Sequence, residues 1–184
     1  MRPLPATILH LSAACLLALA VSAPTSARAQ ADASTTAGSA PAASAPTLTV
    51  EVIGKPTLSL TAADLDAMPR ATASLSSDGN TTTYQGVLLY DLLIKAGWQF
   101  GRGMTGKGMA SYILITARDG YQVLFAPAEI DPAFAGEKVL VADRADNAPL
   151  PGPQQPFRIV SPADKMHARS IYSIVKIELV KLRQ

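Results

Sequence analysis

The chain predicts a mixed α+β domain in which strands outnumber helices. Three observations carry that expectation. Segments rich in β-branched and aromatic residues recur at 48–53, 112–125, 157–160 and 171–182. Helical spacing of apolar residues shows only at 61–68 and 88–96, which predicts about two short-to-medium helices. Two Asp-Gly pairs, Asp78-Gly79 and Asp119-Gly120, sit between strand-like runs, where tight hairpins need residues that tolerate positive φ. Sheets and helices of this kind bury one face each against a partner layer.

Ahead of the domain, Arg2, an apolar run from Ile8 to Val21 and the small-x-small site Ala27-Arg28-Ala29 predict a cleaved secretory signal over 1–29. The run carries His10 and is shorter than the roughly 20 residues of a membrane span. Cys15 is not read as a lipid-attachment site, because Ser12 stands where an aliphatic residue is expected and the apolar stretch continues past it. Residues 30–46 are, after Gln30, Ala, Ser, Thr, Gly and Pro with Asp32 as the one charge. They cannot bury enough apolar surface to offset ordering entropy, so a flexible linker is expected. Residues 47–184 have the size of one domain. Such a domain buries about two-thirds of its unfolded surface and folds without disulfide or metal. A periplasmic or secreted protein is expected. Loss of Arg2 and Arg28 removes the formal net charge of +2 and leaves 14 basic against 14 acidic side chains. With no basic run, nucleic-acid binding by phosphate neutralisation is excluded, and no membrane contact is expected after signal cleavage.

Along the domain, Leu48 to Ile53 alternates and is β-rich, and Gly54 and Pro56 close it as a strand. Thr61-Ala62-Ala63-Asp64 has the order of a helix cap with an acid in the first turn, and Pro69 stops a short helix at Met68. Asp64 and Asp66 are two apart, so they do not face each other on a helix and form no carboxylate pair. Asp78-Gly79 turns a hairpin that ends near Tyr84. Leu88, Leu89, Leu92, Leu93 and Ala96 share one helical face, Gly97 stops it, and Tyr90, Asp91 and Lys95 face outward or rim a cleft. Gly101 to Gly108 is expected to be a mobile loop without the residue order of a phosphate loop. The run Tyr112 to Phe125, split by Asp119-Gly120, predicts a second hairpin. Lys138 to Ala142 and Phe157 to Val160 follow as short strands either side of a Pro-rich loop, and Ile171 to Leu182 as a long final strand or two with a bend.

Four elements then occur in order: Tyr84-Gln85-Gly86-Val87-Leu88-Leu89-Tyr90-Asp91-Leu92-Leu93, Ala117-Arg118-Asp119-Gly120-Tyr121, Asp146-Asn147-Ala148-Pro149-Leu150-Pro151, and Pro156-Phe157-Arg158-Ile159-Val160-Ser161-Pro162 with Asp164-Lys165 and Ala168-Arg169 behind it. Together, over Leu48 to Val180, they resemble the oxidoreductase molybdopterin-binding domain family, the sulfite-oxidase fold, and most closely its compact, stand-alone exported versions.

The resemblance implies a sulfite-oxidase-like fold and a pterin dithiolene whose molybdenum is held by a cysteine thiolate, a soft ligand for the metal. The chain departs from that pattern, since its one cysteine, Cys15, lies in the signal. No catalytic residue and no metal ligand is therefore assigned. The expected function is a binding or accessory module for a small anion, a pterin-like ligand or a periplasmic protein partner. The alternatives are a molybdopterin-dependent oxidoreductase with a non-cysteine or partner-completed metal site, and a purely structural interaction domain. Molybdopterin remains the one cofactor the resemblance allows.

The candidate ligand- or cofactor-binding residues are Tyr90, Asp119, Tyr121, Arg158, Lys165, His167 and Arg169. Lys165, His167 and Arg169 stand two apart, so an extended segment projects all three to one side as an anion-gripping edge. The competing reading pairs these cations with Asp164 and Asp143. Trp98, beside Gly97, is read as core or cleft wall, and Ser161 with His167 lacks the context of a hydrolase pair.

Overall fold

Apolar residues at every second position make Leu48–Val52 (β1) a strand with Leu48, Val50 and Val52 inward. A tight turn at Gly54 leads to Leu58–Leu60 (β2), which pairs antiparallel with β1 and was not foreseen. The structure, a computed structural model, describes residues 45–182. The expected signal with Cys15, and the expected linker except Ala45 and Pro46, lie outside them.

Thr61 caps Ala62–Asp66 (α1): its hydroxyl accepts from the Asp64 N–H at 3.3 Å, and the Asp64 carboxylate accepts from the Thr61 N–H at 2.7 Å. Ala71–Ser77 (β3) and Asn80–Leu88 (β4) form the expected hairpin, with Asp78 at φ 51° and Gly79 at φ 79° in its turn. β4 runs on past Tyr84 to Leu88 because Gly86 and Leu88 keep pairing, Gly86 at a shift of register against Ala142. Leu89–Lys95 (α2) buries Leu89, Leu92 and Leu93. The expected mobile loop holds two short 3-10 turns, Gly101–Met104 and Gly106–Gly108, pinned by the fully buried Met104.

Ser111–Ala117 (β5) and Gln122–Phe125 (β6) form the second hairpin. A third helix, Pro127–Ile130 (α3), was not foreseen, since four residues show no helical period. Leu140–Ala145 (β7) begins two residues later than expected, and Ala148–Pro149 (β8) folds back on it. Arg158–Val160 (β9) pairs with β7, and Ile174–Lys181 (β10) is one strand with a register shift near its start.

The strands form two sheets, one ordered β2-β1-β10-β5-β6 with β1 and β10 parallel, the other β3-β4-β7-β8 with β9 on β7. This is the expected strand-dominated α+β architecture. The main core joins the inward face of the first sheet to α2, to Val87, Val141 and Ile159 of the second, and to Phe157 just before β9. Leu140, Ala142 and Val160 turn to the other face and pack with Leu75 and Tyr84 in a smaller cluster. β7 and β9 are thus covered on both sides, which is why their sequences are runs rather than alternations. Among the described residues no helix is long and apolar enough to cross a membrane.

Candidate functional site

The β5–β6 hairpin tip and the segment leading into β10 meet along a groove of about 320 Å³. Each wall is fixed by local chemistry. At the tip the Asp119 carboxylate accepts from the Tyr121 N–H at 3.0 Å, and the Ala117 N–H donates to the Tyr121 carbonyl at 2.9 Å. Gly120 takes φ 87°, as the turn requires. Opposite, His167–Arg169 is a 3-10 turn, followed by Ser170, Ile171 and Tyr172 along the groove. Ser173, at φ 50°, donates its hydroxyl to the carbonyls of Pro153 and Gln155 at 2.9 and 2.7 Å and breaks the run before β10 starts. The Tyr121 hydroxyl reaches the Ala168 carbonyl at 3.4 Å and links the walls.

The groove brings together Asp119, Tyr121 and His167 of the expected residues. It adds Tyr172, which sequence reading had absorbed into the final strand. The signal available was the Ser170-Ile171-Tyr172-Ser173 order, in which two serines bracket an aromatic residue and favour a turn. Tyr121 and Tyr172 expose 52% and 49% of their surface, so two ring faces are open to a ligand.

Of the two readings open for these cations, the pairing with Asp164 is formed and the anion-gripping edge is not, while Asp143 pairs with Arg70. The 3-10 turn at 167–169 removes the extended geometry that put three cations on one side. Arg169 is instead a clip. It grips Asp164 with two hydrogen bonds of 2.9 and 2.6 Å, reaches Glu129 at 3.2 Å, and lies 4.3 Å over the Phe125 ring. The guanidinium holds the Asp164 carboxyl below its usual range, and that carboxylate in turn raises the Arg169 value. Lys165 is exposed, away from the groove lining. Tyr90 is half-buried against Phe100, ring centroids 4.4 Å apart, and also lies outside the groove.

Arg158 is 3% exposed and sits behind the groove wall. It donates to the Tyr84 hydroxyl at 2.7 Å, Gln154 Oε1 at 2.8 Å, the Ser170 carbonyl at 3.1 Å and the Ile159 carbonyl at 3.3 Å. Its guanidinium carbon lies 4.3 Å from the Tyr84 ring centre and 4.5 Å from that of Tyr172. Among the described residues it has no carboxylate partner. Burial pulls its pKa down, and Tyr84 and Tyr172 oppose that pull.

The donor set does not fit a thiolate-anchored metal. Residues 45–182 contain no cysteine, and among them no three His, Cys, Asp or Glu side chains stand together as a metal site. Arg158 and Arg169 are committed to internal partners, so neither is left to hold a cofactor phosphate, whereas exposed Arg118 stands beside Asp119 and Tyr172 without an ion-pair partner among the described residues. Two tyrosine rings, a carboxylate and an imidazole line the same space.

No family model matches the chain, and no curated protein matches it. Among solved structures, the crystal structure of the sulfane dehydrogenase SoxCD from Paracoccus pantotrophus is similar, with a TM-score of 0.57 at 16% identity. The alignment covers 73% of this chain and 38% of that one, so the chain spans well under two thirds of that protein. The likeness supports, at a distance, the molybdopterin-oxidoreductase-like fold expected from the motifs; at this identity it speaks of fold alone.

Proposed function

We propose that the protein is an exported binding module, without redox metal chemistry of its own, whose tyrosine-walled groove takes a small flat heteroaromatic ligand of the pterin type. The observation that carries this reading is the convergence of Asp119, His167, Tyr121 and Tyr172 on one groove of about 320 Å³. That volume is in the range of small-molecule sites. Tyrosine faces favour offset or edge-on contact with a ring. The free oxygen of the Asp119 carboxylate is an acceptor for the adjacent N–H and amino donors of a pterin edge, a charge-assisted arrangement. His167 supplies a second polar contact across the groove.

The rival reading, a molybdopterin-dependent oxidoreductase, has the fold likeness in its favour and the missing thiolate against it. The test uses the full chain purified from its own compartment, assayed for molybdenum by mass spectrometry and for bound pterin by fluorescence. It is followed by titration of the emptied protein with 2-amino-4-oxopteridine. Binding that weakens about tenfold in Asp119→Asn, the effect of one hydrogen bond to a charged group, supports the module. Asn keeps the oxygen that Tyr121 N–H needs, so the turn survives. Stoichiometric molybdenum overturns the proposal in favour of the oxidoreductase. Absence of pterin binding in both native and emptied protein leaves a structural interaction domain in its place.

A further inference from the structure

A second cavity, of about 360 Å³, opens beyond the C-terminal end of α2 and shares no lining residue with the tyrosine groove. We infer that it is a separate ligand site, between Lys55, Lys181 and Trp98, for a small organic dianion such as a dicarboxylate.

The site is built from the way α2 ends. Gly97, at φ 89°, donates its N–H to the Ile94 carbonyl at 2.8 Å, and the Trp98 N–H donates to the Leu93 carbonyl at 2.9 Å. This paired closure is the Schellman ending of a helix, and it requires a residue free to take positive φ. It also fixes where the Trp98 side chain leaves the backbone. The indole packs against the main core while lining the cavity, and its Nε1–H is buried with no protein acceptor among the described residues. A buried donor left unpaired is destabilising, so a carboxylate oxygen that meets Nε1 when the indole turns toward the cavity gains more than it would on an open surface.

Gly97 has a second role. The methylenes of Lys55 lie 3.2 to 3.4 Å from the point where a Cβ on Gly97 would sit. The glycine therefore lets the lysine stem lie flat across the helix end, with its ammonium at the cavity rim. Lys181, at the end of β10, supplies the second cation.

The local acids are already taken. Lys176 lies 3.1 Å from Glu51 and 2.9 Å from Glu178, and draws both carboxylates to itself. Among the described residues Lys55 and Lys181 have no ion-pair partner, and no acidic side chain lines the cavity. The remaining walls include Gln99 and Thr105, neutral hydrogen-bonding groups suited to carboxylate oxygens that face away from the lysines. Two unneutralised cations, one unpaired indole donor and neutral polar walls match a molecule with two anionic ends. A single anion leaves one lysine unmatched.

Trp98 is the only tryptophan in the chain, so its fluorescence reports this cavity alone. The full chain is titrated with succinate at constant ionic strength, with acetate as the monoanion and inorganic phosphate as the compact anion. We expect a saturable change in Trp98 emission with succinate at concentrations about tenfold below those needed for acetate. Lys55→Gln and Lys181→Gln should each weaken it about tenfold, the loss of one charge-assisted contact. Both lysines are exposed, so these variants keep the fold, which an unchanged melting temperature verifies. His167→Ala should leave the titration unaltered, separating this site from the tyrosine groove. Equal response to succinate and acetate, a stronger response to phosphate, or unaltered titration in the double Lys55→Gln/Lys181→Gln variant overturns the assignment. Amide shifts of Gly97 and Gly108 provide a second readout with the same expected pattern.

Discussion

Replacing Arg158 by alanine strikes the one buried cation that has no carboxylate partner among the described residues. Removing the charge returns its own desolvation penalty, which in real proteins is several kcal/mol. Against that, four acceptors lose their donor: the Tyr84 hydroxyl, Gln154 Oε1 and the Ser170 and Ile159 carbonyls. A buried acceptor left unpaired costs about 1–3 kcal/mol. Tyr84 and Gln154 reorient to recover part of this, while the two carbonyls are fixed by the backbone. Two cation–π contacts of about 1–2 kcal/mol each when desolvated, and the space left by a long side chain, add to the loss. The net expectation is a destabilisation of about 3–5 kcal/mol, a large share of the roughly 5–15 kcal/mol of an ordinary domain. Urea denaturation followed by near-ultraviolet dichroism measures it as a drop in midpoint at unchanged slope. Arg158→Lys separates charge from geometry. One ammonium on a flexible stem reaches one or two of the acceptors and cannot fork among four, so it should recover less than half of the loss. A loss under about 1 kcal/mol for alanine, or full recovery by lysine, refutes the view that the guanidinium fork holds this region together.

Three other substitutions probe separate links. Gly86→Ala should abolish folding or lower the melting temperature by more than about 10 °C, because an added Cβ falls far inside contact with the Val141 carbonyl oxygen and the Ala142 backbone; a well-folded variant with native stability contradicts the close strand approach. Asp164→Asn tests the Arg169 clip through pH. The Asp164 pKa is depressed in the fold, so its stabilisation is present above the ordinary carboxylate value near about 4 and fades as pH falls through the folded value. The melting difference between wild type and Asp164→Asn should be full at about pH 6 and shrink toward about pH 2, and a pH-independent difference counts against the clip. Thr61→Ala should cost about 1 kcal/mol by removing the α1 cap, read from the same urea transitions, while Thr61→Ser should cost little.

Where sequence and structure agree, the governing physics is local. Asp78-Gly79 needs only its own backbone to turn, and Thr61 with Asp64 needs only the first helical turn. Gly97 stops α2 by φ alone. Gly86 was legible within a motif, but its reason was not, because the close approach comes from Val141, far along the chain. The groove was half legible. Asp119 and Tyr121 lie on a hairpin tip that the sequence marks, whereas His167 reaches the groove through the 3-10 turn at 167–169 and Tyr172 lies just before the break at Ser173, held by the carbonyls of Pro153 and Gln155. The cations at 165–169 were legible by charge but not by geometry, and of the two readings open for them the pairing with Asp164 is the one formed. Two-residue spacing implies one face only if the segment is extended, and residues 167–169 instead form a 3-10 turn in which Arg169 pairs with Asp164 and Glu129. Helix α3 was invisible because a capped four-residue helix has no period to detect.

The arrangement around Arg158 ties stability to the groove in a way that neither sheet accomplishes alone. Its donors reach β4 through Tyr84, the loop before β9 through Gln154, and the groove wall through the Ser170 carbonyl. The Tyr172 ring lies over the same guanidinium while lining the groove. A ligand stacking on the open face of Tyr172 would meet a ring whose other side already rests on a cation, so the ring enters binding with little rotamer freedom to lose. Mutating Arg158 should therefore weaken groove binding in proportion to the freed motion of Tyr172, even in variants that remain folded. Arg158→Met, which keeps bulk and removes the fork, isolates that effect. If its pterin affinity equals that of wild type while its stability falls, the guanidinium supports the fold but does not hold the ring for the ligand.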